Sequence, residues 1–340
     1  MPHLIRLAQK ADKKKILDFL SDQWNPNHIY IKAETLFDYD FLEGDRLNFI
    51  IALDEQGEID GTLGFIAYSP ELVGCDVFTV MWKVRPKNGD PSLGVSLLNH
   101  LIKNYGLRSV FTVGANPKTL PIYQFLGYTV GKLEHFVLLN DRPLEFRVAV
   151  VPDRPHAGLP QGWGDWPVIP LESHEALSLQ FRADRRKEDI PYKDASYLKK
   201  RYFNHPFYQY KVLGLGKPGE DLTSILIARE NTVSGTRILR LVDFIGDPTD
   251  LACSGKSLKA LVHDGGYEYM DFYQYGISPE TMTKAGFLRK SDWEGLIVPN
   301  YFEPFEQRNV PIHFFSTLTQ GFRLFKADGD QDRPSRLNPA

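Results

Sequence analysis

Cysteine is nearly absent from the 340-residue chain: Cys75 and Cys253 are the only two, one in each half. Two distant thiols supply neither a disulfide framework nor the spacing of a zinc site, so no metal centre is expected. Long apolar runs are missing as well. None approaches the roughly 18 residues that a membrane span needs. The opening Met1-Pro2-His3-Leu4-Ile5-Arg6 lacks the apolar core of a signal peptide, so the cytoplasm is the expected compartment. Nor is there an excess of one charge. Lys and Arg number 40 against 43 Asp and Glu, a net charge of -3. A broad nucleic-acid-binding surface is therefore not expected. One core rarely grows much past about 250 residues, so the length argues for two domains.

What the chain does have is concentrated between Val80 and Tyr128. The apolar run Val77 to Trp82 reads as a strand. Arg85-Pro86-Lys87-Asn88-Gly89-Asp90 reads as a turn. A helix is expected over Pro91 to Tyr105, because Leu97, Leu98, Leu101, Ile102 and Tyr105 recur at helical spacing. Asp90 suits its N-cap and Pro91 its first position. Ser109 to Val113 reads as the next strand. A helix N-terminus after a Gly-containing loop presents unpaired N–H groups and a partial positive charge, which suits a pyrophosphate. Further on, Asn116 caps a short helix that carries Tyr123, and Gly127 ends it in a left-handed conformation. The plain alternative is an ordinary α/β unit with a well-packed tyrosine.

Together these two motifs, about thirty residues apart, resemble the acyl-CoA-binding core of the GNAT superfamily of N-acetyltransferases. Val84-Arg85-Pro86 matches the Val-x-Pro end of the family's central strand. Gly89-Asp90-Pro91-Ser92-Leu93-Gly94 stands where the family has Arg/Gln-x-x-Gly-x-Gly/Ala. It departs by placing Gly89 at the first position, Ser92 at the middle glycine and a negative Asp90 near the phosphates. Asn116 to Tyr128 is similar to the family segment Asn-x(6)-Tyr-x-x-x-Gly-Phe/Tyr. The resemblance implies acetyl-CoA as cofactor. It would be held by Met81, Trp82, Val84, Asn88, Gly89, Ser92, Leu93, Gly94, Val95, Asn116 and Tyr123, with Tyr123 as general acid toward the thiolate.

On the acceptor side, His28 follows the helix Ala11 to Trp24, and Asp38 lies in the acidic-aromatic stretch Thr35 to Leu42. A histidine can take a proton from an ammonium near neutral pH, and a carboxylate can hold the cation. In the strand Lys132 to Leu139, Glu134 and His135 are neighbours and must point to opposite faces.

The second half repeats the element order of the first, ending in a short helix closed by Gly286-Phe287. Asp247-Pro248-Thr249-Asp250 replaces the Gly-rich loop, and carboxylates are poor neighbours for a phosphate. The second unit is thus expected to bind no CoA and to complete the acceptor pocket. Polar-aromatic segments nominate Arg201, His205, Tyr273, Asn300 and Tyr301 for it, with Asp76 and Asp243, since aromatic faces beside directional polar groups suit a sugar ring or a base.

The expected fold class is α/β (α+β), two tandem GNAT-like domains with mixed, mostly antiparallel sheets. The expected division is a CoA-binding domain over 1–140, a Pro- and Gly-rich linker over 141–166, a degenerate domain over 167–327 and a polar, solvated tail over 328–340. The expected reaction is acetyl transfer to a small-molecule amino sugar, nucleotide-linked, in bacterial surface-glycan biosynthesis. An aminoacyl transferase of the Fem type and a non-catalytic GNAT-like binding module are the alternatives. Oligomeric state is left open.

Overall fold

A computed structural model describes residues 3–86, 92–142, 145–152, 164–335 and 337. In chain order the first strands are β1 (Leu4–Gln9), β2 (Leu42–Glu43), β3 (Arg46–Leu53), β4 (Ile59–Ala67), β5 (Asp76–Val84), β6 (Ser109–Val113) and β7 (Thr129–Lys132). Next come β8 (Glu134–Leu139), β9 (Val168–Pro170), β10 (Lys211–Leu215), β11 (Ser224–Val233), β12 (Thr236–Ile245) and β13 (Tyr269–Tyr275). The last are β14 (Leu288–Arg289), β15 (Tyr301–Phe302), β16 (Phe305–Glu306), β17 (His313–Ser316) and β18 (Leu324–Phe325). Helices α1 (Lys13–Gln23), α2 (Ile29–Lys32), α3 (Glu34–Phe41), α4 (Leu93–Asn104) and α5 (Leu120–Phe125) belong to the first half.

Two eight-stranded sheets result. The first has the order β1-β3-β4-β5-β6-β17-β7, with β2 on β3. The second has the order β14-β8-β13-β12-β11-β10-β9, with β18 on β13. Pairing is antiparallel except at β5/β6 and β12/β13. Each parallel pair is joined by a crossover containing a helix, as parallel pairing requires. These are α4 in the first half and Gly255–Asp264 in the second. The repeat of element order seen in the sequence is therefore a repeat of topology.

Period-two alternation explains how one strand serves two cores. Leu47, Phe49 and Ile51 of β3 pack with Ile16, Leu20, Phe37 and Phe41 from α1 and α3. Ile50 and Ala52 of the same strand pack with Leu97, Leu98 and Leu101 of α4. The first of these clusters continues without a break into Tyr197, Ile225, Ile227, Val242 and Leu324 of the second half. The contact between the halves is thus core, not a wetted surface.

The sheets exchange strands, which moves several expected boundaries. The strand expected over Lys132 to Leu139 divides at Leu133, and β8, placed by sequence in the first unit, pairs with β13 and β14 of the second sheet. In return β17, from near the C-terminus, inserts between β6 and β7. The two crossings touch, with Leu133 N–H donating to Ile312 O at 2.9 Å. Within the 141–166 connection, Val150 forms a single antiparallel bridge to Ile297. Half of that connection lies outside the described residues.

The tail beginning at Asp328 enters the interior before Ser335 and Leu337 come back to the surface. Asp328 and Asp332 are fully buried. Asp328 pairs with Lys193 at 2.7 Å and accepts from Tyr68 of β4's end at 2.7 Å. Asp332 pairs with Arg229 at 3.1 Å and Arg201 at 3.4 Å. Carboxylates are tolerated in an interior when cations and hydroxyls meet them. The tail is a strap laid between the sheets.

Candidate active site

The site begins where β5 and β6 part. They pair only at Asp76/Ser109, Val77/Val110 and Phe78/Phe111. Thr79 and Thr112 hydrogen-bond through their hydroxyls at the fork, and Thr112 also donates to Thr79 O at 3.0 Å. Past the fork β5 is bulged against β4: Gly64 faces Val80, but Thr62 faces Lys83. Met81 sits in the bulge with φ of 51°. That conformation is uncommon for a side chain of this size, and bulges re-aim backbone near functional sites. The strands then enclose a cleft of about 890 Å³.

Met81, Trp82, Asn116 and Tyr123, all expected to meet the cofactor, line this cleft. Asn116 accepts from Lys118 N–H at 3.0 Å and so opens the turn that leads into α5. Tyr123 is held by ring packing: its ring stacks on Phe315 of the inserted β17 at 3.9 Å and lies 5.7 Å from Trp82. Burial raises the Tyr123 phenol above its ordinary value, while a hydrogen bond with Thr119 works the other way. It stays protonated near neutral pH and can serve as a proton donor. Gly94 in the first turn of α4 faces the Trp82 indole. A Cβ there would lie 3.2 Å from the ring.

Ser92 is at the start of α4, Val95 is half-buried, and Leu93 and Val84 turn their side chains into the core under the helix. Leu93, which is buried, can meet a ligand only through backbone. Asn88, Gly89 and the expected cap Asp90 with Pro91 lie outside the described residues.

The far wall comes from the end of the chain. Val310 to His313, Tyr301, Asp330 and Gln331 face Thr79 to Lys83 across the cleft. The approach leaves no room for a side chain on either glycine: a Cβ on Gly329 would stand 2.0 Å from the Val113 backbone oxygen, and one on Gly114 would stand 2.4 Å from Asp330 Oδ1. Asp330, Gln331 and Tyr301 also border a second cavity of about 280 Å³. Asn300, 3 % exposed, is part of its lining.

The remaining expected residues are elsewhere. His28 caps α2, accepting from Tyr30 N–H at 3.3 Å. Burial, with Arg333 nearby, pushes it down to about 3. Its Nδ1 is engaged in that cap and His28 is not part of the cleft lining, so the structure does not bring it to the place expected of it. Asp38 pairs with Lys13 at 2.8 Å on the outer side of α3. The inward carboxylate is Asp40, which accepts from Tyr30 at 2.6 Å.

Asp76 is 1 % exposed and bonded by Arg108 Nε at 3.0 Å and Tyr192 N–H at 2.8 Å, a brace rather than a ligand. Asp243 is likewise closed off by Lys193 at 2.5 Å and by Tyr202. His205 accepts from the N–H groups of Phe207 and Tyr208 at 3.1 and 2.9 Å. Tyr273 stacks on His135 at 3.7 Å, and Arg201 holds Asp332. These four lie outside both cavities, and so does Arg201. Of His135 and Glu134, the first is inside, bonded to Asp271 at 2.9 Å, and the second pairs with Arg289.

Among the described residues no helix is long and apolar enough to cross a membrane, and no group of three or more His, Cys, Asp or Glu is placed to hold a metal ion. Thr79, Thr112, Asp330 and Gln331 were not anticipated from sequence. The threonines sit in strands that read as plain β, and the last two in a segment that read as tail.

No family model and no curated protein matches the chain. Solved structures do match its shape. A GCN5-related N-acetyltransferase from Anabaena variabilis superposes with a TM-score of 0.55 at 11% identity, over 92% of this chain and 72% of that one. A probable N-acyltransferase from Enterococcus faecalis gives 0.55 at 10%, over 93% and 72%. A GCN5-related N-acetyltransferase from Kribbella flavida gives 0.53 at 11%, over 92% and 71%. The chain has the fold of the GCN5-related N-acetyltransferases, with two mostly antiparallel eight-stranded sheets of the same topology.

Proposed function

We propose that the chain transfers acetyl from acetyl-CoA to the amino group of an amino sugar, nucleotide-linked, in bacterial surface-glycan biosynthesis. The observation that carries the transferase reading is the fork itself: diverging parallel strands, a bulge at Met81, and a protonated Tyr123 on the cleft wall. In this reading Met81, Trp82, Asn116 and Tyr123 would hold CoA in the gap between β5 and β6, and the N–H groups at the start of α4 would suit its pyrophosphate. The amine attacks the thioester carbonyl, backbone N–H at the bulge stabilises the oxyanion, and Tyr123 protonates the departing thiolate. Asp330, at the junction of the two cavities, takes the place expected of His28 and Asp38. It would hold the ammonium and pass its proton to water.

The second unit serves the acceptor and not a second cofactor. Asp247 caps the helix Pro248–Cys253 by accepting from Thr249 N–H at 2.9 Å, and Asp250 accepts from Thr223 at 2.6 Å. The donors a phosphate would need there are already used. Calorimetry with acetyl-CoA tests the reading. One site per chain is expected, and Gly94→Glu, at unchanged melting temperature, should weaken binding at least about tenfold by putting bulk and charge where backbone must approach. Two equivalent sites, or full affinity in a folded Gly94→Glu protein, would refute it.

A further inference from the structure

Beside the cleft, the cavity of about 280 Å³ is lined by groups that the protein leaves unpaired. Asn231 of β11 is 3 % exposed, and its Oδ1 has no hydrogen-bond partner. Glu303 Oε1 and Arg333 Nε, both buried atoms of the lining, have none either. Lys326 is 2 % exposed and donates to Asn300 Oδ1, but pairs with no carboxylate among the described residues. Arg229, by contrast, is settled by Asp332 at 3.1 Å and lies 4.0 Å over the Tyr208 ring. Buried polar atoms are nearly always paired, so several unpaired ones in one cavity call for a ligand or ordered water.

The pattern of these atoms selects the chemistry. Asn231 Oδ1 and Glu303 Oε1 need donors. Arg333 Nε needs an acceptor, and Lys326 has N–H groups to spare. A phosphate or carboxylate offers acceptors alone and would set like against like at Asn231 and Glu303. An ammonium offers donors alone. Hydroxyl groups do both. Tyr208, Tyr301 and Phe302 add ring surface for the apolar face of a saturated ring.

We propose that this cavity is the subsite for the hydroxyl-bearing ring of the acceptor, with Asn231 and Lys326 as its specificity-determining contacts; this rests on the transferase reading above. The cavity shares Tyr301, Asp330 and Gln331 with the cleft, so a ring held here reaches toward the acyl group. Burial, reinforced by Arg240, holds the Lys326 amine well below its ordinary range.

The test is binding by calorimetry with three probes: glucosamine, cyclohexylamine as the same size of ring without hydroxyls, and inorganic phosphate. Wild type should bind glucosamine saturably, and neither of the others should displace it. Asn231→Leu and Lys326→Met should each weaken glucosamine at least about tenfold, while acetyl-CoA affinity and melting temperature hold. Asn231→Asp, which keeps the acceptor oxygen, should retain most of the binding even if the leucine variant folds poorly. Displacement by phosphate would make this an anion site and overturn the proposal. So would unchanged glucosamine binding in both variants, or none in wild type, which would leave a water-filled cavity. Loss of acetyl-CoA binding with glucosamine binding intact would instead sink the transferase reading alone.

Discussion

Tyr123→Phe separates chemistry from packing at the cleft. The substitution removes one hydroxyl and keeps the ring that stacks on Phe315 at 3.9 Å and leans on Trp82 at 5.7 Å. The fold loses at most one hydrogen bond, with Thr119, worth about 1 kcal/mol. A general acid acts only in the transition state, so acetyl-CoA affinity should not move. Acid catalysis is typically worth roughly 10²–10⁴-fold, and a thiolate is a good leaving group, so the low end is expected. That is about 100-fold in kcat, or about 2.7 kcal/mol of barrier. Because burial holds the phenol protonated through neutral and mildly alkaline pH, the shape of the pH–rate profile should survive in the variant. The assay is release of free CoA thiol with a panel of amino sugars as acceptors, alongside calorimetry with acetyl-CoA. Wild-type turnover in the variant would leave Tyr123 a packing residue. A large loss of cofactor affinity with kcat intact would make it a binding residue.

Two further predictions concern the interior. Lys193 lies 2.5 Å from Asp243 and 2.7 Å from Asp328, all three buried. Lys193→Met strands two carboxylates and should cost about 3–5 kcal/mol of unfolding free energy, with part recovered when Asp243→Asn and Asp328→Asn are added. Equal denaturation midpoints for wild type and Lys193→Met would overturn this. His28 and His205 are each pushed down to about 3 by burial, with Arg333 and Arg201 adding to it. Their folded values lie below the unfolded value of about 6.5, so the stability they support is present above that pH and is lost as pH falls toward 3. Asp328, held up to about 6 by burial, works in the opposite sense below pH 6. Urea unfolding across this range should show a shallower pH dependence in the double variant His28→Asn, His205→Asn. An identical slope would show that neither histidine is responsible.

What could be read from the sequence was local. The strand–loop–helix–strand unit and the Asn116–Tyr123–Gly127 helix are specified by residues within a few positions of one another, so spacing and caps sufficed. The far wall could not be read, because it is made by Asp330 and Gln331 meeting β6 from more than two hundred positions away. Nothing in Asp328-Gly329-Asp330 says that Gly329 will lie against Val113. The choice of Asp38 over Asp40 was avoidable. Leu36, Phe37 and Phe41 together mark the inward face of α3, and helical spacing puts Asp40 on that face with Asp38 turned away. His28 misled for a different reason. A histidine before a helix can cap as readily as it can catalyse, and only the Tyr30 N–H on its Nδ1 decides between them.

The exchange of β8 and β17 sets an order for the birth of the molecule. β6 and β7 are made early, yet each lacks a neighbour until His313–Ser316 arrives to lie between them. Phe315, which backs Tyr123, arrives with it. Domains usually fold one by one as they leave the ribosome. Here the amino-terminal sheet must wait, with two open edges, for nearly the whole chain to be synthesised. The cleft is therefore completed late, and a ribosome that stalls before residue 313 yields a chain in which Tyr123 has no Phe315 to stack on.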